Sequence, residues 1–161
     1  MKRILLAFST TRYSRDLTSQ ALQEAESLRA SGEEVQLHLL YVLESKKLDE
    51  VYRSVGEDAF LGMGPQNEVL DTLAQEHHRM ARKRIGEAAD KARTQSFEVT
   101  VVEVEGDFTE RVHAAASENA FDIIYVTRAD RPFISRFLFG SECEKVARLV
   151  RQEGKGTVVI K

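Results

Sequence analysis

Apolar positions along this chain change period several times. Five short stretches are rich in valine, isoleucine and aromatics: RILLAF (3–8), VQLHLLYV (35–42), FEVTVVEV (97–104), DIIYV (122–126) and TVVIK (157–161). That composition predicts β-strands. Between them apolar residues recur every three or four positions, which predicts helices. The first helix carries Leu17, Ala21, Ala25 and Leu28, with Ser14 as N-cap and Gly32 as its stop. The second begins near Pro65, a favourable first helical residue, and continues through Leu70, Leu73, His77, Met80, Ala88 and Ala92. His77 is expected at the edge of the core and His78 in water. The third opens on GDFTE, where Asp107 caps the helix and Glu110 reaches back, and it buries Val112, Ala115 and Ala116. The fourth runs from about Ser141 to Glu153, with Val146, Leu149 and Val150 inward and Gly154 as C-cap. Segment 44–65 is the least regular and predicts a long loop with one short helix around Leu48–Val55.

Strands alternating with helices predict βαβ units and an α/β fold with a parallel sheet. Strands one and four are continuous apolar runs, as expected of strands covered on both faces. Strand three alternates Phe97, Val99 and Val101 with Glu98 and Thr100, which suits an edge. The order 3-2-1-4-5 satisfies both, giving a five-stranded, parallel, open, Rossmann-like sheet with helices on both faces. In that order the winding reverses between strands one and four. Ligands of open α/β sheets bind at such a switch point, beyond the C-terminal strand ends. Candidate binding residues there are Ser9, Thr10 and Thr11, Val42 at the end of strand two, and Thr127 and Arg128.

With 161 residues, the chain reads as a single domain spanning 1–161. Hydrophobic residues make up 42% and charged residues 30%, the balance of a folded soluble protein. A net charge of −3 argues against a nucleic-acid or anionic-membrane partner. No apolar run approaches the roughly 20 residues of a membrane helix, and the one in MKRILLAF is too short for a signal peptide. The single cysteine, Cys143, excludes an internal disulfide, and a cytoplasmic location fits.

Candidate chemistry is sparse. Adjacent His77 and His78 point about 100° apart on a helix, which does not suit a metal; no metal site is expected. Cys143, early in the fourth helix, reads either as a reactive thiol or as a buried inert one. HHRMARKRIGEAADKAR is basic but interrupted by acids and lacks aromatics for stacking on bases. No nucleophile, base and orienting group assemble into a catalytic set.

One stretch carries more information. VTRADRPFISRFLFGSECEKV (126–146) leaves a strand, crosses an arginine-rich loop and reaches Gly140-Ser141. A helix N-terminus there would offer free amides to an anion; equally, Gly140 packs tightly and Ser141 only caps. Arg128, Arg131 and Arg136 either gather round that anion or line a solvated loop partly neutralised by Asp130.

Taken with ILLAFSTT, VQLHLLYV, VEGDFTERVHAAASENAFDIIYVTR and SRFLFGSECEKVARLVRQEGKGTVVIK, this stretch resembles the universal stress protein family over nearly the whole length. The resemblance implies the same five-stranded fold, and it divides by nucleotide binding. ATP-binding members carry G-x2-G-x9-G-(S/T) after strand four. Here those positions are Thr127, Asp130, Gly140 and Ser141, so the first two glycines are absent. Threonine resists the positive φ that glycine tolerates, Asp130 brings a carboxylate, and Pro132 removes an amide donor. The acidic residue that such members have after strand one is also missing from Ser9-Thr10-Thr11.

The resemblance therefore implies a stress-response binding or regulatory module without strong ATP affinity and without an assigned cofactor. The alternative is an adenine-nucleotide-binding member with an altered phosphate loop and weak ATPase activity. A small enzyme on a related nucleotide-hydrolase-like fold is a third, less favoured reading. Members of the family also commonly dimerise through the last strand. Thr157, Val158, Val159 and Ile160 form an apolar edge with no proline or inward charge, which predicts a homodimer that a charge at Val159 disrupts.

Overall fold

A computed structural model describes residues 1–10, 12, 14–45, 66–127, 136–154 and 156–160. The short helix expected around Leu48–Val55, the start at Pro65, and Thr11, Arg128 and Arg131 lie outside the described residues. The elements follow as β1 (Lys2–Ser9), α1 (Arg15–Ala30), β2 (Val35–Leu43), α2 (Gln66–Thr94), β3 (Glu98–Glu105), α3 (Phe108–Glu118), β4 (Ile123–Val126), α4 (Arg136–Gln152) and β5 (Thr157–Ile160). The strands form one sheet in the order β3-β2-β1-β4-β5, parallel throughout. The expected order and edge positions are thus those observed.

Alternation along β1 feeds two cores. Ile4, Leu6 and Phe8 face α1 and α2, meeting Leu17, Ala21, Ile85 and Ala88. Leu5 and Ala7 face α3 and α4, meeting Phe108, Val112, Val146 and Val150. Ser14 caps α1 through its Oγ, which accepts from the Leu17 amide at 3.2 Å. Asp107 caps α3 in the same way, Oδ1 accepting from the Glu110 amide at 3.1 Å.

Two expectations need correction. The buried stripe of α2 is Ala81, Ile85, Ala88 and Ala92, whereas Met80 is 43% exposed. Met80 lies eight residues before Ala88, about 800° of helical rotation and so about 80° off the buried face. The same phase puts His77 in solvent and half-buries His78, reversing the expected roles. Burial and then the Arg82 charge hold His78 below the ordinary imidazole range. Second, α4 begins at Arg136 rather than near Ser141. Arg, Phe and Leu are acceptable helix formers, and a glycine inside a helix costs only about 1 kcal/mol relative to alanine. Buried Cys143, Val146 and Val150 on the same helix outweigh that cost. Val101 is 42% exposed, in keeping with the edge position of β3.

The connection into β5 is pinned by Asp122. Its carboxylate accepts from the Arg3 amide at 2.9 Å and from Lys2 Nζ at 3.0 Å. Its carbonyl accepts from the Thr157 amide at 2.9 Å. Gly156 passes so close, at φ +81°, that a Cβ would overlap the Phe121 carbonyl oxygen and stand 3.0 Å from that of Asp122. Gly156→Ala therefore combines left-handed strain with overpacking, about 2–5 kcal/mol together. Thermal unfolding should show a midpoint lower by about 5–15 °C. Gly86→Ala, with nothing within 4 Å of its Cβ, should leave the midpoint unchanged or raise it. Equal midpoints for the two variants would refute the close approach.

Candidate functional site at the sheet switch point

The ends of β1, β2 and β4 converge because of their register: Ser9 lies beside Val42, and Ala7 beside Val126. After β1 the chain turns at once. The Ser9 amide donates to the Arg12 carbonyl at 3.0 Å, and the Arg12 amide donates to the Ser9 carbonyl at 3.1 Å. This doubly closed turn sends the Arg12 side chain inward, where the residue is only 1% exposed.

The guanidinium sits 4.5 Å from the centroid of the Phe108 ring, at the first residue of α3. Its Nη1 donates to Cys143 Sγ on α4 at 3.5 Å. Its Nε stands 3.8 Å from Oε2 of Glu44, just past the end of β2, and Glu44 is itself only 2% exposed. The Cys143 thiol in turn donates to the Thr127 carbonyl at 3.4 Å. Burying a charge costs several kcal/mol in the absence of a counter-charge. Glu44 supplies one, and the negative face of the Phe108 ring adds a second favourable term. The cluster draws on β1, β2, α3, β4 and α4, so it ties the five elements that meet at the switch point.

The expected site residues fare differently. Ser9, Thr10 and Thr127 are all buried at the strand ends. Oγ1 of Thr10 and Oγ1 of Thr127 have no hydrogen-bond partner among the described residues. A buried unpaired hydroxyl costs about 1–3 kcal/mol. Val42 is fully buried and packs in the core with Ala7 and Phe108. Gly140 and Ser141 lie inside α4, past the four amides that a helix starting at Arg136 leaves free. They are therefore not the helix terminus that an anion would meet. His38 in β2 and His113 in α3 stand apart; His113 Nε2 lies 2.8 Å from Glu153 Oε1. Among the described residues no group of three or more His, Cys, Asp or Glu could hold a metal ion. No described helix is long and apolar enough to cross a membrane.

Arg12, Glu44 and Phe108 were not among the candidates. A weak signal for the first two existed. They are opposite charges just beyond the C-terminal ends of strands that the predicted order makes neighbours. Nothing local announces that either is buried.

The sequence profile described as Universal stress protein family matches residues 1–152. The chain belongs to the universal stress protein family. Solved structures agree in fold. A universal stress protein from Archaeoglobus fulgidus is 16% identical, with 99% of this chain and 93% of that chain covered and a TM-score of 0.55. The Archaeoglobus fulgidus universal stress protein in complex with dAMP is 18% identical, with 99% and 97% covered and a TM-score of 0.54. A universal stress protein family protein from Arabidopsis thaliana with AMP bound is 11% identical, with 99% and 90% covered and a TM-score of 0.56. No curated protein sequence gave a significant match.

Within this universal stress protein fold, Arg12 and Glu44 form a charge pair whose side chains are 0% and 1% exposed. Removing one partner of such a pair costs about 3–5 kcal/mol, whereas replacing both by apolar groups is often neutral. Arg12→Met should lower stability by about 3 kcal/mol in urea unfolding. Arg12→Met/Glu44→Leu should recover most of that loss, with an interaction energy of at least about 1 kcal/mol in the double-mutant cycle. Strict additivity would mean that the two charges do not support each other.

Proposed function

We propose that the protein is a stress-response binding or regulatory module without strong affinity for ATP. The observation that carries this reading is the Arg12 guanidinium, which occupies the space among Phe108, Glu44 and Cys143 at the switch point. An incoming nucleotide would have to displace a charge that already has its counter-charge. Sequence supports the same conclusion. Thr127 and Asp130 stand where ATP-binding relatives have glycine, and no acidic residue follows β1.

A second reading keeps adenine nucleotides. Solved relatives are described with dAMP and AMP bound, and two buried hydroxyls, of Thr10 and Thr127, have no partner among the described residues. Under this reading the chain is a nucleotide-binding member with an altered phosphate loop and weak ATPase activity. Calorimetric titration with ATP, ADP and AMP, with and without magnesium, separates the two. The favoured reading expects a Kd for ATP of about 1 mM or weaker. Binding near 1 μM would overturn it, and binding of AMP alone would favour the second.

We further propose a homodimer through β5. That strand is a sheet edge, and Val158, Val159 and Ile160 are only half-buried in one copy. The Thr157 amide bonds to Asp122, so residues 157 and 159 turn their backbone groups toward β4 and residues 158 and 160 turn theirs outward. Val158 and Val159 both pack against the core, so the probe has to act on the backbone rather than through a charged side chain. Val158→Pro removes an outward donor and leaves the ladder to β4 intact. Sedimentation at micromolar concentration should give a dimer for the parent chain and a monomer for Val158→Pro. A monomeric parent chain would refute this proposal.

A further inference from the structure

The α3 side of the sheet carries a groove of about 310 Å³. Leu40, Val102 and Val104 line it from the sheet, and Ala114 and Ala115 line it from α3. Ser9, Thr10 and Thr127 of the switch point are not among its lining residues. Alternation along β3 puts Val102 and Val104 on this face and Glu103 and Glu105 on the other, with Val99. The two alanines leave room that larger side chains would fill, and Val102 stays 44% exposed. The volume lies at the small end of the range for ligand sites, about 300–1,000 Å³.

Charges stand at both ends. Arg111 and Glu118 each line the groove. Seven residues of one helix set them about 10 Å apart along its axis, and about 700° of rotation brings the second back to nearly the same stripe. The Arg111 guanidinium is held in place. Its Nε donates to the Glu105 carbonyl at 2.8 Å, and a Cβ on Gly106 would stand only 2.7 Å from that Nε. Both Nη groups are left without a hydrogen-bond partner among the described residues. The Glu118 carboxylate has neither an ion pair nor a hydrogen bond among them. Neither charge serves the helix. Because α3 runs from Phe108 to Glu118, the cation is nearer the positive end of its dipole and the anion sits at the negative end.

The other charges near the Glu118 end offset each other. Arg3 Nη2 donates to Asn119 Oδ1 at 3.4 Å and stands 3.5 Å from His38 Nε2. His38 Nε2 lies 2.9 Å from Gln36 Oε1, and Gln36 Nε2 donates to Glu98 Oε1 at 3.0 Å. Arg3 and Glu98 thus bring opposite charges to one chain of contacts. Burial and then the Arg3 charge push His38 below the ordinary imidazole range, so at neutral pH it adds no cation. Among the described residues the groove therefore offers a cation at one end, an anion at the other and an apolar floor between them.

We propose that this groove binds a small zwitterion with an apolar middle, its carboxylate on Arg111 and its ammonium on Glu118. A free apolar tripeptide is the simplest such ligand, since three extended residues span roughly 10 Å. A fatty acid would leave Glu118 without a partner, and an apolar amine would leave Arg111 without one. The site is separate from the switch point and does not depend on whether a nucleotide binds there.

Calorimetric titration of the full chain with valyl-alanyl-valine tests this, beside the N-acetylated and C-amidated peptides and octanoate. The free tripeptide should bind with a Kd of about 1 mM or tighter and shift the amide resonances of residues 102–104 and 111–118. Each cap should weaken binding about three- to fivefold. Glu118→Gln should weaken the free peptide by a similar factor and remove the effect of acetylation alone, and Arg111→Gln should remove the effect of amidation alone. Both side chains are exposed, so both variants should stay folded, with the melting midpoint of Glu118→Gln at or above that of the parent. The proposal is overturned by no binding at about 10 mM peptide, by equal affinity for free and capped peptides, or by cap effects that persist in both variants. Octanoate binding as tightly as the tripeptide would overturn it in favour of a simple carboxylate, and resonance shifts confined to the switch point or β5 would place the ligand elsewhere and overturn it too.

Discussion

Strand β1 is paired on both sides and covered on both faces, and everything else in the molecule is positioned from it. Ile4 to Phe8 are all buried, with Leu37 and Ile123 flanking Ile4 in the two ladders. A fully buried aliphatic or aromatic side chain contributes about 1.5–3 kcal/mol, so this short run anchors both cores. The same ladders fix where the chain leaves the sheet. With Ser9 beside Val42 and Ala7 beside Val126, the exits from β1, β2 and β4 must open on one crevice. The switch point follows from the register of the central strands and not from any residue in the loops.

What fills that crevice is a matter of side chains. A loop rich in glycine would present backbone amides to an anion. This chain instead turns back within four residues of Ser9 and drives a guanidinium inward. The cost of desolvating Arg12 is met inside the protein, by Glu44 and by the ring of Phe108. A site that satisfies its own charge has less to gain from a charged ligand. The early start of α4 acts in the same direction, since it withdraws Gly140 and Ser141 from the free end of the helix. Two features that look unrelated in sequence thus bear on the same proposal.

The sheet was legible in the sequence because burial on both faces leaves a continuous apolar run, and β1 and β4 show one. Capping was legible for a similar reason. Ser14 and Asp107 act on amides three residues away, so their partners are encoded locally. The misreadings share the opposite property. The phase of α2 at Met80 and His78 depends on which face of a long helix meets the sheet, and the few apolar residues near its middle do not define one. The burial of Arg12 depends on a turn whose two hydrogen bonds carry no compositional mark. Arginine after a strand is ordinarily read as solvated, and only the neighbouring Glu44, from another strand, makes its burial tolerable.

An open sheet leaves two edges, and the two here do not have the same chemistry. β5 is four residues long, carries no charge, and presents few outward backbone groups. Apolar identity without charge suits pairing with a copy of itself, because nothing in it repels its own image. β3 is twice as long and carries Glu98, Glu103 and Glu105. The sheet thus ends in a neutral short edge on one side and an acidic long edge on the other, whether or not either takes up a further strand. The central strand and its two covered faces stay the same in either case.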